Sequence, residues 1–197
     1  MEKDFEMLIN SFLTDNVGIS EHFIGDKLAN HLKQNLLALY KKKAMLAAGV
    51  GNNEKYNQDT AVRGDSIYWL DRENNNEYED EFFDRIDEFI KYLNRSCFAG
   101  ITGYEFHYSM YEKGTFYKKH LDQFNNNPTR RFSMISYLNA DWHAEDGGEL
   151  LIYQQYNNKK ITPTQGKTVF FKSDQFEHEV LVTNQKRMSI TGWLKRG

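Results

Sequence analysis

The chain has 197 residues, 40% of them hydrophobic, which suits one domain with a substantial core and is short for two. Its 25 lysines and arginines against 28 acids leave a net charge of −3, so there is no broad basic field to hold a nucleic acid. A single cysteine, Cys97, excludes an intramolecular disulfide and fits a reducing cytoplasm. The charged start Met1-Glu2-Lys3-Asp4 lacks the apolar core of a signal peptide, and no run approaches the length of a membrane helix.

In chain order, Phe5, Leu8, Ile9, Phe12 and Leu13 have helical spacing, as do Leu28, Leu32, Leu36, Leu39 and Tyr40 ahead of Lys41-Lys42-Lys43. The lysine run reads as a solvated helix end that complements the dipole. After the loop Gly49-Val50-Gly51-Asn52-Asn53 and a polar stretch to Arg63, a strand is predicted around Ile67 to Leu70. Asn74 to Asn76 and Asn125 to Asn127 read as loops. The acidic run Glu77 to Glu81 opens a third helix, with Phe82, Phe83, Ile86, Phe89, Ile90 and Leu93 on its inner face. From Tyr104 onward short strands alternate with turns at Lys113-Gly114, Gly147-Gly148, Asn157-Asn158, Gln165-Gly166 and Thr183-Asn184, the pattern of a sandwich or barrel. Residues 1–100 thus read as helical support plus a first strand and loop, and 101–197 as a β core.

The chemistry concentrates in His120-Leu121-Asp122, His178 and Arg187. In an extended segment residues i and i+2 share a side, so His120 and Asp122 can hold one ion, with His178 supplying a third ligand from another strand. Two imidazoles and one carboxylate on one face of an octahedral iron leave the other face open for a chelating co-substrate and dioxygen. The turn at Thr183-Asn184-Gln185 is expected to return Arg187 on the neighbouring strand, close to the iron, where its planar guanidinium can take a carboxylate bidentately. An isolated His-x-Asp is a weak signal and a lone strand histidine is usually a satisfied core residue. The ordered set of four carries the reading. Alternation also puts Arg131, Ser133, Ile135 and Tyr137 on one face of their strand, and Arg187, Ser189, Thr191 and Trp193 on one face of theirs.

Around these residues, Tyr117-Lys118-Lys119-His120-Leu121-Asp122, Tyr137-Leu138-Asn139-Ala140-Asp141-Trp142, Gly147-Gly148-Glu149-Leu150 and Arg187-Met188-Ser189-Ile190-Thr191-Gly192-Trp193 resemble the prolyl 4-hydroxylase-like oxygenases. The similarity is greatest to the hypoxia-inducible-factor prolyl hydroxylase branch, to whose substrate-covering loop and following strand Arg63-Gly64-Asp65-Ser66-Ile67-Tyr68-Trp69 is also similar.

The resemblance implies a double-stranded β-helix, a jelly-roll barrel, with helices packed on one outer face. It implies Fe(II) held by His120, Asp122 and His178, and 2-oxoglutarate anchored by Arg187 with Tyr137, Tyr111 and Thr191 nearby. O2 is consumed, and ascorbate is an expected reductant. Trp193, Arg63, Asp65 and Arg130 are implied at the substrate entrance, with Asp65 and Arg130 pairing across it and the loop from Gly49 to Arg63 acting as a lid. The implied activity is hydroxylation of an exposed proline in a protein substrate to 4-hydroxyproline, with release of succinate and CO2. A hydroxylase of a free amino acid or other small molecule is the alternative, since one iron site serves many substrates on one fold. A nucleic-acid demethylase lacks the basic stripe with interleaved aromatics that tracks a backbone. A catalytically silent binding module has no physical need of the triad together with Arg187. No nucleic acid and no membrane is expected as a partner.

Overall fold

The computed structural model describes residues 2–49, 61–123 and 128–197. The expected loop at Asn125 to Asn127 and most of the expected lid lie outside them. Helix α1 spans Glu2–Asp15, strand β1 Val17–Ser20, helix α2 Asp26–Lys41 and strand β2 Leu46–Ala47. Strand β3 (Asp65–Trp69) leads to helix α3 (Glu77–Cys97). Eight further strands follow: β4 Gly103–Tyr111, β5 Tyr117–His120, β6 Arg130–Tyr137, β7 Leu150–Ile152, β8 Lys159–Ile161, β9 Thr168–Lys172, β10 His178–Val180 and β11 Arg187–Lys195.

The strands form two antiparallel sheets, a major one ordered β1-β9-β6-β11-β4-β3-β2 and a minor one ordered β5-β10-β7-β8. The two facing sheets make a double-stranded β-helix, with the helices on the outer face of the major sheet. Alternation explains the layering. Met188, Ile190 and Leu194 of β11 and Phe132 and Met134 of β6 turn outward against Phe82, Phe89, Leu32 and Leu8 of the helices. The opposite faces meet the minor sheet in a second core that includes Ile135, Tyr137, Leu150, Ile152 and Phe171. Each fully buried Leu, Ile or Phe contributes about 1.5–3 kcal/mol, so both interfaces are held chiefly by apolar burial.

Asn76 starts α3 by accepting from the backbone N–H groups of Tyr78 and Glu79 (3.1 and 3.2 Å), and the acidic first turn lies at the positive end of the helix dipole. Leu13 departs from the expected apolar stripe of α1, being 68% exposed. At about 100° per residue it sits roughly 90° from the middle of the stripe defined by Phe5, Leu8, Ile9 and Phe12, on the helix flank. At Gly192 a Cβ would lie 2.2 Å from both the Glu105 carbonyl and the Phe106 ring, so β11 can lie this close to β4 only with glycine there.

A second departure concerns the turn before β11. The sequence places Arg187 on the strand next to that of His178, yet β10 belongs to the minor sheet and β11 to the major one. The segment through Thr183-Asn184-Gln185 is a crossing between sheets, pinned by Thr183 N–H to Thr115 O (3.1 Å) and Asn184 N–H to Asp146 O (2.7 Å). Arg187 therefore faces His178 across the barrel.

Candidate active site

The minor sheet brings His120 and His178 into register as cross-strand partners, and Asp122 follows β5 directly. The His120 Nε2 lies 3.5 Å from one Asp122 carboxylate oxygen, and the His178 Nε2 3.4 Å from the other. One ligand atom from each of the three residues falls within 4.8 Å of the others. Each imidazole Nδ1 sits beside a carbonyl oxygen, of Lys118 at 2.8 Å and of Phe176 at 3.1 Å. A carbonyl can only accept, so Nδ1 carries the proton and Nε2 keeps its lone pair for a metal. Burial pushes His178 below its ordinary pKa against the pull of Asp122, which keeps the ring neutral, as a ligand must be. Burial alone would raise Asp122, but His178, His120 and Ser133 hold its carboxyl well below the usual range. Two neutral imidazoles and an ionised carboxylate fit a divalent first-row metal with an open face.

The major sheet supplies the opposite wall. Arg187 is 1% exposed, and its Nε donates to Gly148 O at 2.7 Å. Its Nη2 has no partner, and no carboxylate pairs with the guanidinium among the described residues. Tyr111 is its cross-strand neighbour on β4 and Tyr137 lies on β6, each ring 5.1 Å from the guanidinium carbon. The buried Tyr137 hydroxyl also lacks a partner, and burial pushes its pKa up to about 12 despite Arg187, so it remains a donor. An unpaired buried guanidinium costs several kcal/mol, and a ligand carboxylate is what would satisfy this group and the phenol together. The turn at Gly147-Gly148 makes this possible. Both residues have φ of 64°, and a Cβ on Gly148 would lie 3.1 Å from Arg187 Cδ.

The three candidate ligands and Arg187 line one cavity of about 280 Å3, with Arg63, Tyr111, Arg130, Thr191 and Trp193 also on its wall. Thr191 faces inward with its hydroxyl 3.2 Å from that of Ser189. The expected pairing of Asp65 with Arg130 is not present. The buried Asp65 is gripped by Arg63 through two bonds of 2.8 and 2.7 Å, because residues two apart on an extended segment share a face. Arg130 instead donates to Glu105 (2.8 Å) and lies over the Trp193 ring at 3.6 Å. Arg63 also covers Tyr117, which stacks on His120 at 3.6 Å, so the pair Asp65 and Arg63 braces a ligand from behind.

Several residues were not singled out from the sequence. Ser133 donates to Asp122 at 2.6 Å, and its inward face on β6 was legible from alternation. Asn139 fixes the end of β6 to β11, donating to Met188 O and accepting from Met188 N–H at 2.7 Å. His107 lies on the inward face of β4 that also carries Ser109 and Tyr111.

His107 is buried on the cavity wall, and burial pushes its pKa down to about 4, with Asp65 opposing and Arg63 and Arg130 reinforcing the fall. An unfolded histidine titrates near 6.5, so on acidification the unfolded chain takes up this proton first. Stability from the neutral ring is complete above about pH 6.5 and is lost as pH falls towards 4, by on the order of 3 kcal/mol. Urea denaturation across that window is expected to show a shallower acid slope in His107→Gln than in the wild type. Equal slopes would mean that the ring is not held neutral.

Comparison with known proteins agrees with this geometry. Residues 106–195 match the 2OG-Fe(II) oxygenase superfamily. Egl nine homolog 1 of Homo sapiens is 25% identical over 208 residues, covering 95% of this chain and 46% of that protein, and the rat protein of that name is 26% identical with 57% covered. The chain thus spans about half the length of the curated relatives it matches. A Pseudomonas putida prolyl-4-hydroxylase superposes with a TM-score of 0.87 at 27% identity, covering 98% of this chain and 99% of that one. A Trichoplax adhaerens prolyl hydroxylase, solved with a hypoxia inducible factor oxygen degradation domain peptide, also gives 0.87 at 25% identity, covering 98% and 90%. The three candidate metal ligands and Arg187 all lie inside the segment that is similar to the 2OG-Fe(II) oxygenase superfamily.

Proposed function

We propose that the chain is a Fe(II)- and 2-oxoglutarate-dependent dioxygenase that converts a prolyl residue of a protein substrate to 4-hydroxyproline, releasing succinate and CO2. The observation that carries this reading is the buried Arg187, without a carboxylate partner among the described residues, facing a two-histidine, one-carboxylate cluster across one cavity. The likeness to two prolyl hydroxylases over nearly the whole chain supports proline as the target. So does the aromatic rim of Trp69 and Trp193, whose rings are 6.4 Å apart.

His120, Asp122 and His178 would hold the iron, and Ser133 fixes the carboxylate's orientation by its hydrogen bond. Arg187 and Tyr137 would bind the distal carboxylate of 2-oxoglutarate and set its approach to the metal. When bound, Fe(II), 2-oxoglutarate and O2 supply the oxidising chemistry that inserts one oxygen atom into a C–H bond. Ile135, Leu150 and Val180 give the cavity an apolar lining that limits water, and no side chain is required as a base for the C–H step. Ascorbate as reductant and a cytoplasmic setting belong to the same proposal.

The test is mass spectrometry of proteins from cells carrying the wild type or His120→Ala. A one-oxygen mass gain on a proline, present with the wild type and lost in the variant, is expected. If no proline shows it while the wild type binds metal and 2-oxoglutarate, the protein target is wrong and a free amino acid or other small molecule takes its place.

A further inference from the structure

Two buried nitrogens on the cavity wall have no role in holding metal or co-substrate. His107 Nδ1 and Trp193 Nε1 are without a hydrogen-bond partner among the described residues. Their rings are 5.6 Å apart, both residues line the cavity, and Trp69 lies 4.9 Å from His107 at the rim. His107 sits in register between Trp69 of β3 and Thr191 of β11, in the middle of the major sheet. A methionine or leucine would pack there without leaving a polar atom unmatched, so the imidazole is an expensive choice for a purely structural position.

The chemistry of the two groups selects their partner. An indole N–H only donates. The imidazole is held neutral by its burial, so it has one N–H to offer and no charge to draw an anion. The amide preceding a proline is tertiary and has no N–H, so its one hydrogen-bonding atom is the carbonyl oxygen, an acceptor. An imidazole N–H and an indole N–H on one wall therefore complement the carbonyls that flank a proline.

We propose that His107 is a substrate-selecting residue whose Nδ1–H, alongside Trp193 Nε1–H, donates to the main-chain carbonyl next to the target proline. This rests on the prolyl reading above. The test titrates a proline peptide, taken from a protein modified in the mass-spectrometric comparison, into protein loaded with Mn(II) and 2-oxoglutarate, and measures KM and kcat with Fe(II).

His107→Leu is expected to weaken peptide binding and raise KM by about tenfold, the effect of one lost hydrogen bond, with kcat within about twofold. His107→Gln, which keeps an N–H, is expected to recover most of that loss. Unchanged binding of Mn(II) and 2-oxoglutarate by each variant shows an intact site, and His107→Met replaces the leucine variant if that one fails to fold. Peptide affinity unaltered in the apolar variants, or equally reduced in the glutamine variant, overturns the proposal. If the wild type itself neither binds nor hydroxylates any proline peptide, the prolyl reading fails, a result seen before any variant is made.

Discussion

Arg187→Met is expected to abolish measurable response to 2-oxoglutarate while leaving the ligand-free protein at least as stable as the wild type. The guanidinium is buried, makes one bond to Gly148 O, and has no carboxylate partner among the described residues. In the ligand-free chain it is a cost, since a buried cation without a counter-ion is unfavourable by several kcal/mol. With the co-substrate bound it would become one end of a charge-assisted, two-point contact, and removing one partner of such a contact typically costs about 3–5 kcal/mol, a loss of roughly 10²- to 10⁴-fold in affinity. Thermal denaturation separates the two states. At a hundred times Kd, 2-oxoglutarate should stabilise the wild type by about 2.7 kcal/mol and the methionine variant not at all. Arg187→Lys keeps the charge and loses the fork, so it should fall between them. A methionine variant that still gains stability from 2-oxoglutarate would remove Arg187 from the anchor role.

Asp122→Ala is expected to eliminate specific Mn(II) binding by calorimetry and all turnover with Fe(II). It takes away the single anionic ligand and leaves the buried Ser133 hydroxyl with only Ser173, at 3.0 Å, as partner. Ser133→Ala supplies the graded comparison, because it keeps all three ligands and removes only the bond that orients one of them. Loss of such an outer contact typically weakens metal affinity by about 10- to 100-fold. Mn(II) binding that survives Asp122→Ala at wild-type strength would place the metal elsewhere. Ser133→Ala with undiminished affinity would mean that the metal itself orients the aspartate well enough.

Period-two alternation made much of the site legible. It placed Ser133, Ile135 and Tyr137 on one face of β6, and Arg187, Thr191 and Trp193 on one face of β11, and those faces meet the minor sheet. Helical spacing likewise gave the inner faces of α2 and α3, where burial follows a repeat set by backbone geometry. What the sequence did not disclose depends on contacts between distant segments. Arg130 is drawn from Asp65 by Glu105, which register places opposite Trp193 on the adjoining strand, and nothing local to Arg130 announces that partner. His107 looked like any strand histidine, because its enclosure by Trp69 and Trp193 is created only when β3, β4 and β11 pair. The position of Arg187 was anticipated while its route was not, since a short turn can lead to the next strand or to the facing sheet with similar residues.

The division of the site between the two sheets has a further meaning. The candidate metal-ligand imidazoles stand on the thin sheet and the guanidinium on the broad one, and packed sheets keep a separation of about 10 Å fixed by the side chains between them. The barrel then acts as a gauge for molecular length. A keto acid held as proposed would span from jaw to jaw, so its fit would depend on the thickness of the apolar core that includes Ile135, Leu150 and Phe171, at positions that touch neither end of the molecule being measured.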